Sequence, residues 1–331
     1  MDKKEDKQSM LKLTKTTATV CLMIILDELF CDVDDFCALF EPDWHKHLIS
    51  CGSVRRLRSN QLSLSEIMTI LIAFQTSGYR NFKVYYLNLV CQHYRSAFPD
   101  RVRYSRFIQL IPRVLVPMIH YLSCCKGSST GIGFIDSTSI KVCHNRRIFS
   151  HRVFDGIAQR GRTSVDWFAA REACKRRRRD LGAYALRFKL HLVINDRGEI
   201  LNFALTPGNV DDRKPVRELL DSLSGKFVGD KGYISEDLAL DLRAKGIILI
   251  TKFKQKMKNR LVTWSDKILM RKRALIESVI GQLKHLCHIE HTRHRSPINF
   301  IVHLLAGLIA YCHLPHKPSI AIDPSALPSS C

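Results

Sequence analysis

Two aspartates follow short apolar segments and could bind a cation. Asp136 comes directly after Phe134-Ile135, and Asp230 follows Lys226–Val228 within the turn Gly229-Asp230-Lys231-Gly232-Tyr233. Acidic residues are depleted in strand interiors and are rarely buried without a partner, so each position needs a reason. Asp136 could cap the next turn through Ser137 or Thr138. Two carboxylates at neighbouring strand ends would instead supply the oxygen ligands that hard cations prefer.

Glu277 is the third candidate acid. It lies at the edge of the apolar face of a predicted helix, with Arg273 four residues before it and Lys284 seven after. This spacing places the three residues along one stripe of the helix. Two interpretations are open. Glu277 could form a surface ion pair with Arg273, or it could complete a metal-binding triad while Arg273 and Lys284 bind DNA phosphates.

Asp211 and Asp212 are rival acids. Pro207-Gly208 precedes them, and the apolar spacing in Pro215–Leu223 predicts a helix after them. We therefore interpret both as N-cap residues of that helix. Asp230 is preferred for the site because it ends a strand.

The segments that carry these acids predict a mixed β-sheet with helices packed on it. After a Gly/Ser-rich break at Lys126–Gly133, the sequence pattern predicts the following elements in order: a strand ending at Ile135, a hairpin of Phe188–Ile194 and Ile200–Leu205, a helix at Pro215–Leu223, a strand at Lys226–Val228, a helix at Ser235–Ala244, a strand at Gly246–Thr251, and a long helix from Ile268 to about Leu286.

The first part of the chain is patterned as helices. Ser63-Leu64-Ser65-Glu66 has the form of a capping box, and Pro112 should break a later helix. The predicted fold class is α+β, with an N-terminal helical bundle followed by the mixed β-sheet flanked by helices. We predict a flexible tail at residues 1–17, a helical domain at 18–125 whose interspersed basic residues fit DNA binding, a domain at 131–316 that carries the candidate acids, and a tail at 317–331.

The chain carries a net charge of +21, which indicates a polyanionic partner, nucleic acid first and an anionic membrane surface second. Residues 141–189 contain 14 Lys and Arg against 4 acids, and residues 252–284 contain 10 against 2. These segments follow Asp136 and enclose Glu277. They predict a phosphate-binding track beside the candidate metal site, although a merely soluble basic protein would have a similar composition.

Cysteine usage and apolar segments indicate the compartment. The twelve cysteines are scattered and form no Cys-x-x-Cys pair, which argues against a zinc site and for buried, reduced thiols in a cytosolic protein. The apolar segments at 19–26 and 300–314 are shorter than a membrane span, and no signal-peptide pattern is present. We expect a cytoplasmic protein without a membrane partner.

An ordered set of motifs extends over most of the chain, from about Leu29 to Lys317. The motifs are Phe134-Ile135-Asp136-Ser137-Thr138, Cys143-His144-Asn145-Arg146, Thr206-Pro207-Gly208-Asn209-Val210-Asp211-Asp212, Gly229-Asp230-Lys231-Gly232-Tyr233, Arg273-x3-Glu277-x6-Lys284, His291–Phe300 and Leu305–Tyr311. Together they resemble the motifs of insertion-sequence DDE transposases, and most closely those of the insertion sequence 982 group.

The resemblance implies an RNase H-like catalytic domain with Asp136, Asp230 and Glu277 as the catalytic triad. It also implies two Mg2+ ions, for which Mn2+ can substitute, held by the same three carboxylates. The candidate DNA-binding residues are Arg273, Lys284, Lys231, Lys272, Arg146 and Arg147. The expected location is the bacterial cytoplasm, in association with the nucleoid.

Two features depart from the family pattern. Met270 stands where the wider superfamily often has Tyr, three residues before the Arg of the last motif. An insertion at 169–187, with the basic run Lys175–Arg179, separates Trp167-Phe168 from Phe188. It could be an ordered DNA contact, a basic loop or a trace of decay in an element copy. We favour a surface loop, because long loops cost little stability.

The main functional hypothesis is a transposase that binds the terminal inverted repeats of its element, cuts DNA and joins it to a target. A homodimer or larger synaptic complex is expected, because two element ends must be held together. One alternative is a metal-dependent nuclease of the same fold. Another is a non-catalytic DNA-binding copy, that is, an inactive transposase.

Overall fold

The computed structural model describes residues 2–52, 61–162, 184–251, 263–290 and 294–320. The chain divides into two compact units. The first contains Met1–Cys124 and Ile301–His313, and the second contains Cys125–Phe300 and Leu314–Cys331.

The elements before residue 125 are helical. They are α1 (Asp2–Ser50), α2 (Leu64–Thr76), α3 (Phe82–Val84), a π-helical segment (Tyr85–His93), α4 (Tyr104–Leu110), a 3-10 segment (Ile111–Val114) and α5 (Leu115–Cys124).

Strands and helices alternate in the rest of the chain. They are β1 (Ile132–Lys141), a 3-10 segment (Asn145–Ser150), β2 (Gln159–Arg162), β3 (Tyr184–Asn195), β4 (Ile200–Pro207), α6 (Val216–Leu219), β5 (Gly225–Gly229), a 3-10 turn (Lys231–Tyr233), α7 (Glu236–Ala244), β6 (Ile247–Thr251), α8 (Trp264–Lys272), α9 (Ala274–His285) and α10 (Pro297–Cys312).

Two local signals set helix boundaries in the first unit as predicted. At the start of α2, the Ser63 Oγ accepts a hydrogen bond from the Glu66 N–H at 3.0 Å, and the Ser63 N–H donates to Glu66 Oε2 at 2.7 Å. This is a complete capping box. Pro112 lies in the 3-10 segment that separates α4 from α5, so the predicted interruption is also present.

Residues 2–17, which the sequence predicts as a flexible tail, form the first part of α1, which begins at Asp2. No glycine or proline precedes Pro42, and the first residues include several good helix formers such as Lys, Glu, Met and Leu. Nothing local therefore ends the helix between residues 2 and 18.

Tyr104–Cys124 is the one helical stretch, within the described residues, that is long and apolar enough to cross a membrane. Its Phe107, Leu110, Val114 and Met118 are buried. A single stretch of this kind is weak support for a membrane span, because core helices of soluble proteins share its length and composition.

The second unit is built on a six-stranded mixed sheet. β1 is central: it pairs antiparallel with β3 on one side and parallel with β5 on the other, and β6 pairs parallel with β5. The far edge of β3 pairs with β2 near its start and with β4 along the rest. This confirms the predicted mixed sheet with flanking helices, and the arrangement is consistent with an RNase H-like fold.

The β3–β4 hairpin has the predicted turn. The Asn195 Oδ1 accepts hydrogen bonds from the N–H groups of Arg197 at 3.0 Å and Glu199 at 2.9 Å, and Gly198 has a φ of 73°. The Asn side chain therefore closes the turn, and glycine supplies the left-handed residue it needs. The Ile320 N–H donates to the Asp196 carbonyl at 2.8 Å, so the start of the predicted tail at 317–331 contacts this turn. Residues 321–331 lie outside the described chain.

Two strand boundaries differ from the predictions. β1 continues through Asp136 to Lys141, because Ser137 to Ile140 pair with β3 and alternate small polar with β-branched residues. β3 begins at Tyr184 and pairs with β2, so residues 184–187 are strand and not part of a loop. The rest of the predicted insertion, including Lys175–Arg179, lies in a part of the chain that the structure does not describe.

Cysteines whose side chains are described are free thiols. The expectation that they are buried holds for Cys37 and Cys287 but not for Cys31, Cys51 and Cys124, which are exposed.

Candidate active site

Sheet pairing brings Asp136 and Asp230 side by side. The parallel pairing of β1 with β5 ends at Phe134 and Val228, which are partners in the register. Asp136 and Asp230 each lie two residues further along their strand directions. The two carboxylates are therefore close because of strand pairing, although Asp136 lies inside β1 and not at its end.

Gly229 explains the tight approach before Asp230. A Cβ atom there would lie 3.1 Å from Tyr233 Cδ2 and 3.2 Å from Ile135 Cγ2. At Gly232, the second glycine of the motif, a Cβ atom would meet open space. Only the first glycine is therefore required by close packing.

Arg273 contacts all three predicted catalytic acids. Its Nη2 lies 2.7 Å from Asp136 Oδ2, and its Nη1 lies 3.0 Å from Glu277 Oε1 and 3.9 Å from Asp230 Oδ1. The guanidinium thus joins side chains from β1, from the turn after β5 and from α9. The two interpretations of Glu277 are compatible, since the i,i+4 ion pair exists and lies within the acidic cluster.

The cluster is buried on one side and open on the other. The side chains of Asp136 and Arg273 are each 17% exposed, whereas those of Asp230 and Glu277 are 51% and 60% exposed. Burial raises the pKa of Asp136, and it outweighs the opposing effects of the Arg273 charge and of the hydrogen bond from the Ser137 N–H. Asp136 is therefore the inner carboxylate, and the other two face solvent.

The helix that carries Glu277 is interrupted where Arg273 lies. The predicted continuous helix from Ile268 to Leu286 is wrong: α8 ends at Lys272 and α9 begins at Ala274. No glycine or proline marks the junction. α9 buries Ile276, Val279 and Leu283, which fixes the helix and places Glu277 on its open side.

The rival acids have other partners. Asp212 accepts a hydrogen bond from Lys189 Nζ at 2.9 Å, and the same ammonium donates to the Val210 carbonyl at 2.7 Å. Hydrogen bonds from Arg213 lower the pKa of Asp211 to about 2. The predicted N-cap role is wrong for both, because α6 begins only at Val216 and has Pro215 as its N-cap.

The candidate DNA-binding residues differ in accessibility. Lys231, Lys272 and Arg147 are exposed, so their charges are available to a ligand. Lys284 is held against β1, with its Nζ 3.4 Å from the Ser139 carbonyl and 3.4 Å from Glu290 Oε1. The Arg146 side chain lies outside the described part of the structure.

Sequence reasoning missed polar residues of β3. Lys189, which anchors Asp212, is two residues before His191, whose Nε2 lies 2.8 Å from Thr206 Oγ1. Burial lowers the pKa of His191 to about 4. The available signal was the recurrence of polar residues at alternate positions of an otherwise apolar strand, which places them on one face.

The three acids have the chemistry for a hard divalent cation, but Arg273 now lies among them. In the described ranges, no group of three His, Cys, Asp or Glu side chains is arranged to hold a metal ion. The three predicted ligands instead surround the Arg273 guanidinium, whose positive charge lies where a bound cation would be expected. Carboxylate oxygens are the ligands that Mg2+ and Mn2+ prefer, so the side-chain types of these three acids suit such cations.

A family comparison extends these observations. Residues 126–297, more than half of the chain, match the family model described as the transposase DDE domain. Comparisons with curated proteins and with solved structures gave no significant match.

Proposed function

This chain belongs to the family of transposases with a DDE domain, and on that premise we propose that it moves an insertion sequence of the 982 group. In this proposal it binds the terminal inverted repeats of its element and catalyses metal-dependent cleavage and transfer of DNA strands. The observation that carries the proposal is the convergence of Asp136, Asp230 and Glu277 from three separate elements on one point.

The proposed chemistry needs little from the protein beyond charge and position. Asp136, Asp230 and Glu277 would hold two Mg2+ or Mn2+ ions, which when bound activate an attacking water or 3′-hydroxyl and stabilise the leaving oxygen. The Ser137 N–H donates to Asp136 Oδ1 at 2.8 Å and orients the inner carboxylate. The partly exposed Asp230 and Glu277 leave one side of the cluster open to DNA.

Basic residues beside the cluster would position the DNA. Lys231 directly follows Asp230, and Lys272 directly precedes Arg273, and both are exposed. In this proposal they bind phosphates of the DNA backbone, and such contacts fix register but carry no sequence specificity. Arg147, Arg146 and Lys284 are proposed as further contacts, Lys284 after release from Glu290.

The proposed assembly is a homodimer or larger synaptic complex on two element ends and a target DNA. The helices of the first unit are proposed to form the bundle that recognises the inverted repeats. The proposed location is the nucleoid in the bacterial cytoplasm.

Replacement of Asp230 tests the catalytic proposal. Asp230→Asn should lower the rate of strand cleavage at an element end by about a hundredfold or more, because it removes a ligand charge from the metal site. Binding to the same end should persist. A labelled inverted-repeat duplex with Mg2+ or Mn2+ measures cleavage and joining, and a gel shift measures binding.

Two variants serve as controls. Asp237→Asn removes an exposed carboxylate of α7, and Asp212→Asn removes the rival acid, so both should retain cleavage. Loss of cleavage in Asp212→Asn with retention in Asp230→Asn would contradict the triad. Cleavage without a joined product would indicate a nuclease, and a shifted band without either product would indicate a non-catalytic copy.

A further inference from the structure

The described contacts of the Arg273 guanidinium all go to the proposed metal ligands. Nη2 binds Asp136, and Nη1 lies close to Glu277 and Asp230. The Arg273 Nε is buried and makes no hydrogen bond to any described residue. The three carboxylates therefore hold this side chain in place, and it holds them together.

This arrangement is a poor one for an arginine that binds only DNA. The guanidinium is mostly buried and pairs most closely with Asp136, the least exposed of the three acids. A phosphate would have to compete with a charge-assisted hydrogen bond of 2.7 Å. An exposed cation for DNA is available nearby at Lys272.

The same arrangement also opposes metal binding. A cation bound to Asp136 Oδ2 would lie close to the guanidinium that already contacts this oxygen, and two positive charges at such a distance repel each other strongly in a partly buried site. Without a metal ion, however, three carboxylates would repel one another, and Asp136 would be a buried charge without a counter-charge.

We propose that Arg273 is the internal counter-cation of the acidic cluster: it holds Asp136, Asp230 and Glu277 together in the metal-free chain and leaves Asp136 when divalent cations bind. This rests on the proposed function in taking the three acids as metal ligands. Arg273 is then a positioning residue whose guanidinium becomes available to a DNA phosphate only in the metal-bound state. Metal loading and DNA binding are coupled through one side chain.

Metal binding in the absence of DNA tests this proposal. The full chain and its Arg273→Gln and Arg273→Lys variants are titrated with Mn2+ by calorimetry, and thermal unfolding is measured in EDTA and in Mn2+. Arg273→Gln should bind Mn2+ about tenfold more tightly, because a competing positive charge is removed. It should also unfold at a lower temperature than the parent chain in EDTA, and Mn2+ should raise its unfolding temperature by more than that of the parent chain. Arg273→Lys, which keeps the charge without the forked geometry, should be intermediate.

Arg271→Gln is the matched control, because it removes the same charge from an exposed position two residues away. It should behave as the parent in both measurements. The proposal would be overturned if both Arg273 variants bound Mn2+ as the parent does or more weakly. Replacement of a purely structural arginine would lower stability without raising the affinity for Mn2+. If Arg273→Gln does not fold, Arg273→Lys alone decides by the same criterion.

Failure of the counter-cation and failure of the proposed function give different results. If Asp136→Asn abolishes Mn2+ binding while the Arg273 variants do not tighten it, only the counter-cation role is wrong. If neither the parent chain nor any variant binds Mn2+, the acids are not a metal site and both proposals are wrong.

Discussion

At the residue scale, burial and partners rather than residue type distinguish the charged groups of the second unit. Asp136 and Asp212 are both acids within the sequence motifs, yet one pairs with Arg273 and the other with Lys189. His191 shows the same effect, because its buried position on β3 keeps it neutral. The charge state of each group follows from its neighbours in the fold.

The neutral, buried His191 should make the stability of the protein depend on pH. Its pKa is lowered to about 4 in the folded chain, against 6.5 for an ordinary histidine. Between these values the unfolded chain binds a proton that the folded chain does not, so acid favours unfolding. The contribution of the neutral His191 to the free energy of unfolding is fully present above pH 6.5. It is lost as the pH falls towards 4, by at most about 1.4 kcal/mol per pH unit.

Chemical unfolding between pH 4 and 8 measures this effect in the parent chain and in His191→Phe. The variant loses the bond to Thr206 and should be less stable at pH 8, but the difference between the two proteins should narrow as the pH falls. If the free energies of unfolding of the two proteins changed with pH in parallel, His191 would not titrate in this way.

At the element scale, the site depends on where strands and helices begin and end. β5 ends at Gly229 and the helix is interrupted at Arg273, and these two points carry Asp230 and the guanidinium to the same place. β1 extends past Asp136, so neighbouring strands on both sides fix the position of this residue. β3 pairs along the whole strand, and β5 pairs with it up to Phe134. The elements thus act as a rigid frame for the carboxylates.

Gly229 and Gly232 form a matched pair for testing this frame. Gly229→Ala should lower the free energy of unfolding by about 1 to 3 kcal/mol, because its Cβ would meet Tyr233 and Ile135 in a packed core. Gly232→Ala has open space and should change stability by less than about 0.5 kcal/mol. Urea unfolding of both variants measures the difference, and equal effects would contradict the packing explanation.

At the scale of the whole molecule, the net charge of +21 is the dominant property. Several cations of the second unit are already paired with acids, among them Lys189, Arg217 and Lys245. Lys231 and Lys272 are exposed beside the acidic cluster and so can contribute to a DNA surface. We therefore expect these two lysines to contribute more to DNA binding than cations that are already paired with acids.

DNA affinity should therefore fall steeply with salt, and part of that dependence should belong to these two lysines. Replacing Lys231 and Lys272 by Gln should reduce the slope of log K against log salt by about 2, close to 0.9 for each lost phosphate contact. Fluorescence anisotropy with an inverted-repeat duplex at several salt concentrations measures the slope. The control pair Arg217→Gln and Lys245→Gln, whose charges are ion-paired with Asp241 and Asp221, should leave it nearly unchanged. A flat salt dependence in the parent would contradict the phosphate track.

Local features of the fold could be predicted from sequence because they depend on neighbouring residues. The capping box at Ser63, the interruption at Pro112 and the turn at Asn195–Gly198 each arise from contacts within a few residues. The mixed sheet was predictable because short apolar strand segments alternate along the chain with predicted helices. Predicted strand boundaries were wrong where pairing with a distant strand sets them. The second half of β1, for example, is strand because β3 pairs with it.

The candidate acids could be named from their sequence context, but their common partner could not. The ion pair of Glu277 with Arg273 was predictable because the two are four residues apart. Asp136 is 137 residues from Arg273, and no periodicity or motif carries information about that contact. The sequence alone predicted which acids are candidates for the chemistry and which elements carry them. Only the tertiary structure decided that one guanidinium lies among these carboxylates, because ion pairing between distant residues depends on the packing of separate elements into one site.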